Sequence, residues 1–181
     1  MSQMRGRIKR VTGYVALLRA VNVGGTRKLP MSVLLEICEA AGFQQVKTCI
    51  ASGNVVFQSD QAEDPVRREI EARVSAYARK HIAVMVRTAA EIADVLVRNP
   101  FLDVPRNRIL ALFVPGQPPK DPLAGVNGIE NEQIRLGLRE LYVYYPDGMA
   151  ATRLRIPSEK QGTSRNLNTV AKLAEFAAAL A

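Results

Sequence analysis

Tyr14-Val15-Ala16-Leu17-Leu18-Arg19-Ala20-Val21, followed by Asn22-Val23-Gly24-Gly25-Thr26-Arg27-Lys28, decides the reading of this chain. A short apolar run broken only by Arg19 reads as a buried strand. The double-glycine loop ends it, and Pro30 opens a helix. In that helix Leu34, Ile37, Cys38 and Ala41 fall on one stripe, and Gly42 stops it where a positive φ costs least. Val46 to Ile50 and Asn54 to Gln58 read as strands joined through Ala51-Ser52-Gly53. Asp64-Pro65 then caps and starts a second helix, with Val66, Ile70, Val74 and Tyr77 along one face. Ala83 to Arg87 is the next strand. The order is β-α-β-β-α-β, the split β-α-β arrangement of ferredoxin-like domains.

The remainder repeats this pattern loosely. Thr88-Ala89-Ala90-Glu91 matches a capping box, and the helix it starts runs to Asn99-Pro100. Ile109 to Val114 is a strand. Pro115 to Pro122, with four prolines and a glycine, is a turn-rich connector leading to a short helix. Gln133 to Leu136 and Leu141 to Tyr145 form a strand pair. A last helix from about Arg165 buries Leu167, Val170, Leu173, Ala174 and Ala177. The expected architecture is α+β: a ferredoxin-like first half followed by a smaller, loosely similar α+β second half. Residues 1–12 are expected to be a basic flexible tail, 13–87 the ferredoxin-like subdomain, and 88–181 a second subdomain packed on it and ending in the C-terminal helix.

With 181 residues and 48% hydrophobic content, the chain can bury a core without staples, which excludes bulk disorder. Two cysteines and one histidine argue for a reducing compartment and against a disulfide framework or a zinc site. The net charge is +8, and Arg5, Arg7, Lys9 and Arg10 in the tail supply half of it. A frayed tail explains these four better than a nucleic-acid arm does. No secretion signal and no membrane-length apolar run is visible, so the expected location is the cytoplasm.

Three polar segments lie at the edges of apolar elements. In the first, Arg19, Asn22, Gly24, Gly25 and Lys28 make an anion cradle: glycines let backbone N–H groups approach an oxyanion, and a helix N-terminus follows. Neither the P-loop nor the G-x-G-x-x-G spacing is present. The plainer reading is a permissive turn with its cations in water. In the second, Ser52, Gly53 and Asn54 serve either as turn chemistry or as a hydroxyl and an amide facing a ligand. A serine nucleophile would need a base, and His81, placed at the end of the second helix, faces solvent or caps carbonyls there. In the third, Thr163 or Ser164 caps the last helix, so that Arg165, Asn166, Asn168 and Thr169 surround free N–H donors. The plainer reading pairs Arg165 with a neighbouring acid. The carboxylates are scattered over helix faces, which argues against a magnesium site. Cys38 reads as core packing, and Cys49 packs beside the Ser52 turn.

ALLRAVNVGGTRKLPM (16–31), VKTCIASGNVVFQS (46–59) and GTSRNLNTVAKLAEF (162–176) together resemble the family called domain of unknown function 1697. Arg98-Asn99-Pro100-Phe101 resembles that family's link between halves. The resemblance runs from about Gly13 to the C-terminus and implies an α+β fold with a ferredoxin-like unit, but no reaction. Family members often carry Gly-x-Ser-Lys-Leu after the last strand pair; here Gly148 to Leu154 stands in its place, and Arg153 retains the positive charge. The aromatic often found between the two Asn of the last motif is Leu167.

The reading is a pocket protein that binds a small phosphorylated or carboxylated ligand through Arg19, Lys28, Arg165 and Arg153, with Gly, Ser, Thr and Asn orienting it. Any chemistry there is easier to argue as oxyanion stabilisation than as acid–base catalysis, and no cofactor or metal is called for. A nucleic-acid binder ranks second, because Asn54 to Gln58 has one aromatic and lacks the stacking signature of RNA-binding sheets. A ligand-free interaction module is the third alternative, and it requires the three segments to lie far apart.

Overall fold

The computed structural model describes residues 10–20, 28–49 and 53–180. Asn22, Gly24, Gly25 and Ser52 therefore lie outside the described residues, as does most of the basic tail. The chain is an α+β protein of four helices and two four-stranded antiparallel sheets. In the first half, β1 (Thr12–Leu18), α1 (Met31–Ala40), β2 (Gln44–Thr48), β3 (Asn54–Ser59), α2 (Glu63–Ala78) and β4 (Val84–Thr88) follow the expected element order. Their sheet runs β2-β3-β1-β4, so the apolar strand that opens the chain lies between β3 and β4. In the second half, α3 (Ala89–Val97) precedes β5 (Ile109–Phe113), β6 (Gln133–Leu136), β7 (Glu140–Tyr144), β8 (Thr163–Asn166) and α4 (Leu167–Ala178). That sheet runs β6-β7-β5-β8.

Burial explains the layering. On one face of β1 and β3, Tyr14, Ala16 and Phe57 pack with Leu34 and Cys38 of α1 and Val66, Ile70 and Val74 of α2. On the opposite face, Val15, Leu17 and Val56 share a core with Ile92 and Val95 of α3, Leu167, Val170 and Leu173 of α4, and Ala111 and Phe113 of β5. Strand β1 is therefore buried on both faces, as its unbroken apolar sequence requires. The outer face of the second sheet is covered by Leu154 and Ile156 from the connection into β8.

Several expectations are corrected. The first strand ends at Leu18 rather than Val21, and β2 starts earlier, with its register shifting between Gln44 and Lys47. Helix α2 starts from Ala62, with Glu63 and Asp64 in its first turn, and Tyr77 is 46% exposed while Ala78 takes the buried position. The i, i+4 spacing from Val74 reaches Ala78 on the same side, and Tyr77 falls beside it. Residues 121–125 form turns in place of a short helix. Most consequentially, residues 163–166 are a strand paired antiparallel with β5, from Leu110 opposite Asn166 to Phe113 opposite Thr163. The last helix begins two residues later than expected, at Leu167. Its cap is Asn166, whose Oδ1 accepts the Thr169 N–H at 2.9 Å.

Gly162 makes the entry into β8 possible: a Cβ there would lie 2.5 Å from the Phe113 carbonyl oxygen. Only glycine lets the chain pass that close to β5.

Candidate functional site

Parts of the three polar segments meet where β1, β3 and β8 come together. Arg165, on β8, crosses to the first sheet. Its Nε donates to Asn54 Oδ1 at 2.7 Å, and its Nη2 donates to the Leu18 carbonyl at 2.9 Å. Nη1 donates to Thr163 Oγ1 and to the Ser164 carbonyl, both at 2.8 Å. Asn54, fully buried, donates from Nδ2 to the Cys49 carbonyl at 3.1 Å, and the Leu18 N–H reaches the Gly53 carbonyl at 2.9 Å. Gly53, at φ +75, supplies the left-handed turn that brings Asn54 into this position. Burial holds the Arg165 guanidinium down to about 10 from its usual value. Neutral oxygens from β1, β3 and its own strand accept these hydrogen bonds.

Arg165, Asn54, Gly53 and Thr163 thus form a buried joint between the sheets, and the open cation of the group is Arg19. It follows β1 directly, with its N–H bonded to the Ala83 carbonyl at 2.9 Å. Its side chain is half-buried and donates from Nη2 to the Glu159 carbonyl at 3.2 Å. Arg19 borders three clefts. One of about 550 Å³ runs past Lys160 and Gln161 toward Arg87 and Gly116, beneath α2. A second of about 410 Å³ runs between Lys160, Asn127, Arg155 and Pro157. A third of about 110 Å³ lies against Lys80 and His81. Glu63, Asp64 and Glu71 also line the largest cleft, but each is bridged by an arginine. In the second, Glu159 is the acid against three cations, and its carboxylate accepts the Ile156 N–H.

Other expected site residues take plainer places. Lys28 is exposed, Asn168 is exposed on the first turn of α4, and Asn166 is the cap of that helix. Arg153 is exposed and borders none of the three clefts around Arg19; Arg155, two residues on, does. His81 has 72% of its side chain exposed and lies 4.0 Å from Glu71. Among the described residues, no group of three or more His, Cys, Asp or Glu side chains is placed to hold a metal ion. Both faces of β1 and β3 are packed under helices, so the first sheet offers no open platform for stacking bases.

Sequence reasoning missed a second arginine joint. Arg87, on β4, is 2% exposed and lies over the Phe113 ring at 5.8 Å. It donates to the Val114 carbonyl at 2.7 Å and to the Arg139 carbonyl at 3.2 Å. Burial, with the nearby Arg139 charge, lowers it to about 10. Arg139 itself grips both oxygens of Glu63 at 2.7 and 2.9 Å and reaches Glu91 at 2.8 Å. The one available signal was a charge at a core-facing position of an apolar strand, Val84-Met85-Val86-Arg87. Lys80, Arg155 and Lys160 carried no motif.

Among the described residues, no helix is long and apolar enough to cross a membrane. A search of curated proteins found no match. Among solved structures, one described as that of the conserved bacterial protein SP0830 from Streptococcus pneumoniae superposes with a TM-score of 0.76 at 19% identity, covering 93% of this chain and 99% of that one. At that identity the likeness concerns the fold. The family described as "Protein of unknown function (DUF1697)" matches residues 11–142, which hold the β1 strand, Asn54 and the Arg87 joint, and the chain belongs to that family.

Proposed function

We propose that the protein binds a small anionic ligand, phosphorylated or carboxylated, at the end of β1, with Arg19 as the residue that grips it. The observation that carries this is the position of Arg19 at the junction of three clefts among Lys80, Arg155 and Lys160. Cations not neutralised by a bonded carboxylate, with Arg19 among them partly dehydrated, are favourable partners for an anion. Arg165 acts here as a positioning residue: its bonds to Leu18 and Asn54 fix the end of β1 from which Arg19 projects. No reaction is assigned to the site. The nucleic-acid reading ranks lower because the covered faces of the first sheet remove its usual stacking surface.

A thermal-shift screen of wild type, Arg19→Ala and Arg153→Ala against inorganic phosphate, sugar phosphates and dicarboxylates tests the reading. Stabilisation by at least one anion is expected in wild type and Arg153→Ala and is lost in Arg19→Ala. Equal stabilisation of all three proteins, or of none, refutes it.

A further inference from the structure

Arg19 and Lys160 border both the 550 Å³ cleft and the 410 Å³ cleft. The cations therefore stand at a divide, with space for a ligand on either side, rather than at the closed end of one cavity. A terminal phosphate held at such a divide would fill neither cleft. An anion in the middle of a molecule fills both.

The walls describe the two arms. Among the described residues, neither cleft is lined by Phe, Tyr or Trp, so neither offers the ring on which a base would stack. The larger cleft presents the ion pairs of Glu63 with Arg139 and of Asp64 and Glu71 with Arg67, with buried Arg87 beside them, and the smaller one presents Asn127, Arg155 and Glu159. A carboxylate bridged to arginine keeps lone pairs that accept hydroxyl donors, and a second anion would have to compete with it for its arginine. Arms bearing hydroxyls, which both donate and accept, fit these paired walls.

We propose that the ligand is a small phosphodiester with two hydroxyl-bearing, non-aromatic substituents, its phosphate between Arg19 and Lys160 and one arm in each cleft. This rests on the anion-binding reading above and names its ligand class.

Calorimetric titrations of the full chain with glycerophosphoglycerol, glycerol 3-phosphate and the dinucleotide uridylyl-uridine test it. Glycerophosphoglycerol is expected to bind at least about tenfold tighter than glycerol 3-phosphate, although it carries less charge, because it fills both clefts. Lys160→Ala, an exposed position that leaves the core intact, and Arg19→Ala are each expected to abolish that preference. In amide spectra, Gln161 and Asn127, one from each cleft, should both shift with the diester. If glycerol 3-phosphate binds as tightly or tighter and still depends on Arg19, the diester proposal is overturned while the anion site stands. Tighter binding of uridylyl-uridine overturns the non-aromatic arms. If none of the three binds, the diester proposal fails, and the screen with other anions decides the broader reading on its own.

Discussion

Arg165 and Arg19 lie on opposite sides of one distinction: both are cations at the end of β1, but one is consumed by the protein and the other is open. Removing Arg165 would strand Asn54 Oδ1, Thr163 Oγ1 and the Leu18 carbonyl in the interior. Each unsatisfied buried group costs on the order of 1–3 kcal/mol, so Arg165→Ala is expected to destabilise by roughly 3–5 kcal/mol in urea unfolding. Arg165→Lys should recover little, because an ammonium cannot reproduce a fork aimed at four oxygens. Arg19→Ala loses one hydrogen bond at a half-buried position and is expected to cost about 1 kcal/mol or less. Equal losses for the two variants would contradict the division of roles. The thiols belong to this scale too. Cys38 is fully buried, and burial pushes its pKa to about 12; Cys49 is 3% exposed and is also raised. Neither is expected to react with iodoacetamide until the protein unfolds, and rapid labelling of native protein would show the core around β1 to be open.

At the scale of elements, strand β8 shows where local sequence stops being sufficient. Thr163-Ser164-Arg165-Asn166 has no apolar residue, and each of its small polar side chains is a good helix cap, so the segment reads as the start of a helix. Its extended state comes from pairing with β5 and from the Arg165 bonds, partners that are 50 or more residues away in the chain. Gly162 enforces the approach, and Gly162→Ala is expected to unseat β8 and lower stability by more than 1–2 kcal/mol, since the Cβ would meet the Phe113 carbonyl. An unchanged melting temperature would show that the chain can bend away. By contrast, the elements with strong local signals fall where the sequence puts them. The Thr88–Glu91 capping box is present with both bonds, Gly42 takes φ +84 after α1, and the unbroken apolar run of β1 lies between two cores. Arg19 and Asn54 were visible as candidates for the same reason: a polar residue at the edge of an apolar strand stands out. Arg87 was hidden because its partners are backbone carbonyls, which leave no mark in the sequence.

At the scale of the molecule, the two sheets are joined by the shared core of α3 and α4, by Arg165, and by the Arg139–Glu63–Glu91 cluster that ties the β6–β7 turn to the starts of α2 and α3. Burial pushes the Glu91 carboxyl up, but the Thr88 N–H and Arg139 outweigh it and hold the group below the usual glutamate value. A carboxyl lowered in the folded state contributes stability that is fully present above its unfolded pKa and is lost as pH falls through the folded one. Acid unfolding below the ordinary glutamate range is therefore expected to be shallower in Glu91→Gln than in wild type, with the neutral-pH stability of the variant reduced; parallel pH profiles would contradict this. The same joints hold Arg19 at the meeting point of the clefts, which is the central claim. The most direct test is a 1H–15N titration of the folded chain with inorganic phosphate, following the Arg19 side-chain Nε–H signal and the amides of Ala83, Asn127 and Gln161. These four signals are expected to move together and saturate, while the Arg165 Nε–H, bonded to Asn54, stays in place. Shifts confined to other surfaces, or a moving Arg165 with a stationary Arg19, would contradict the account.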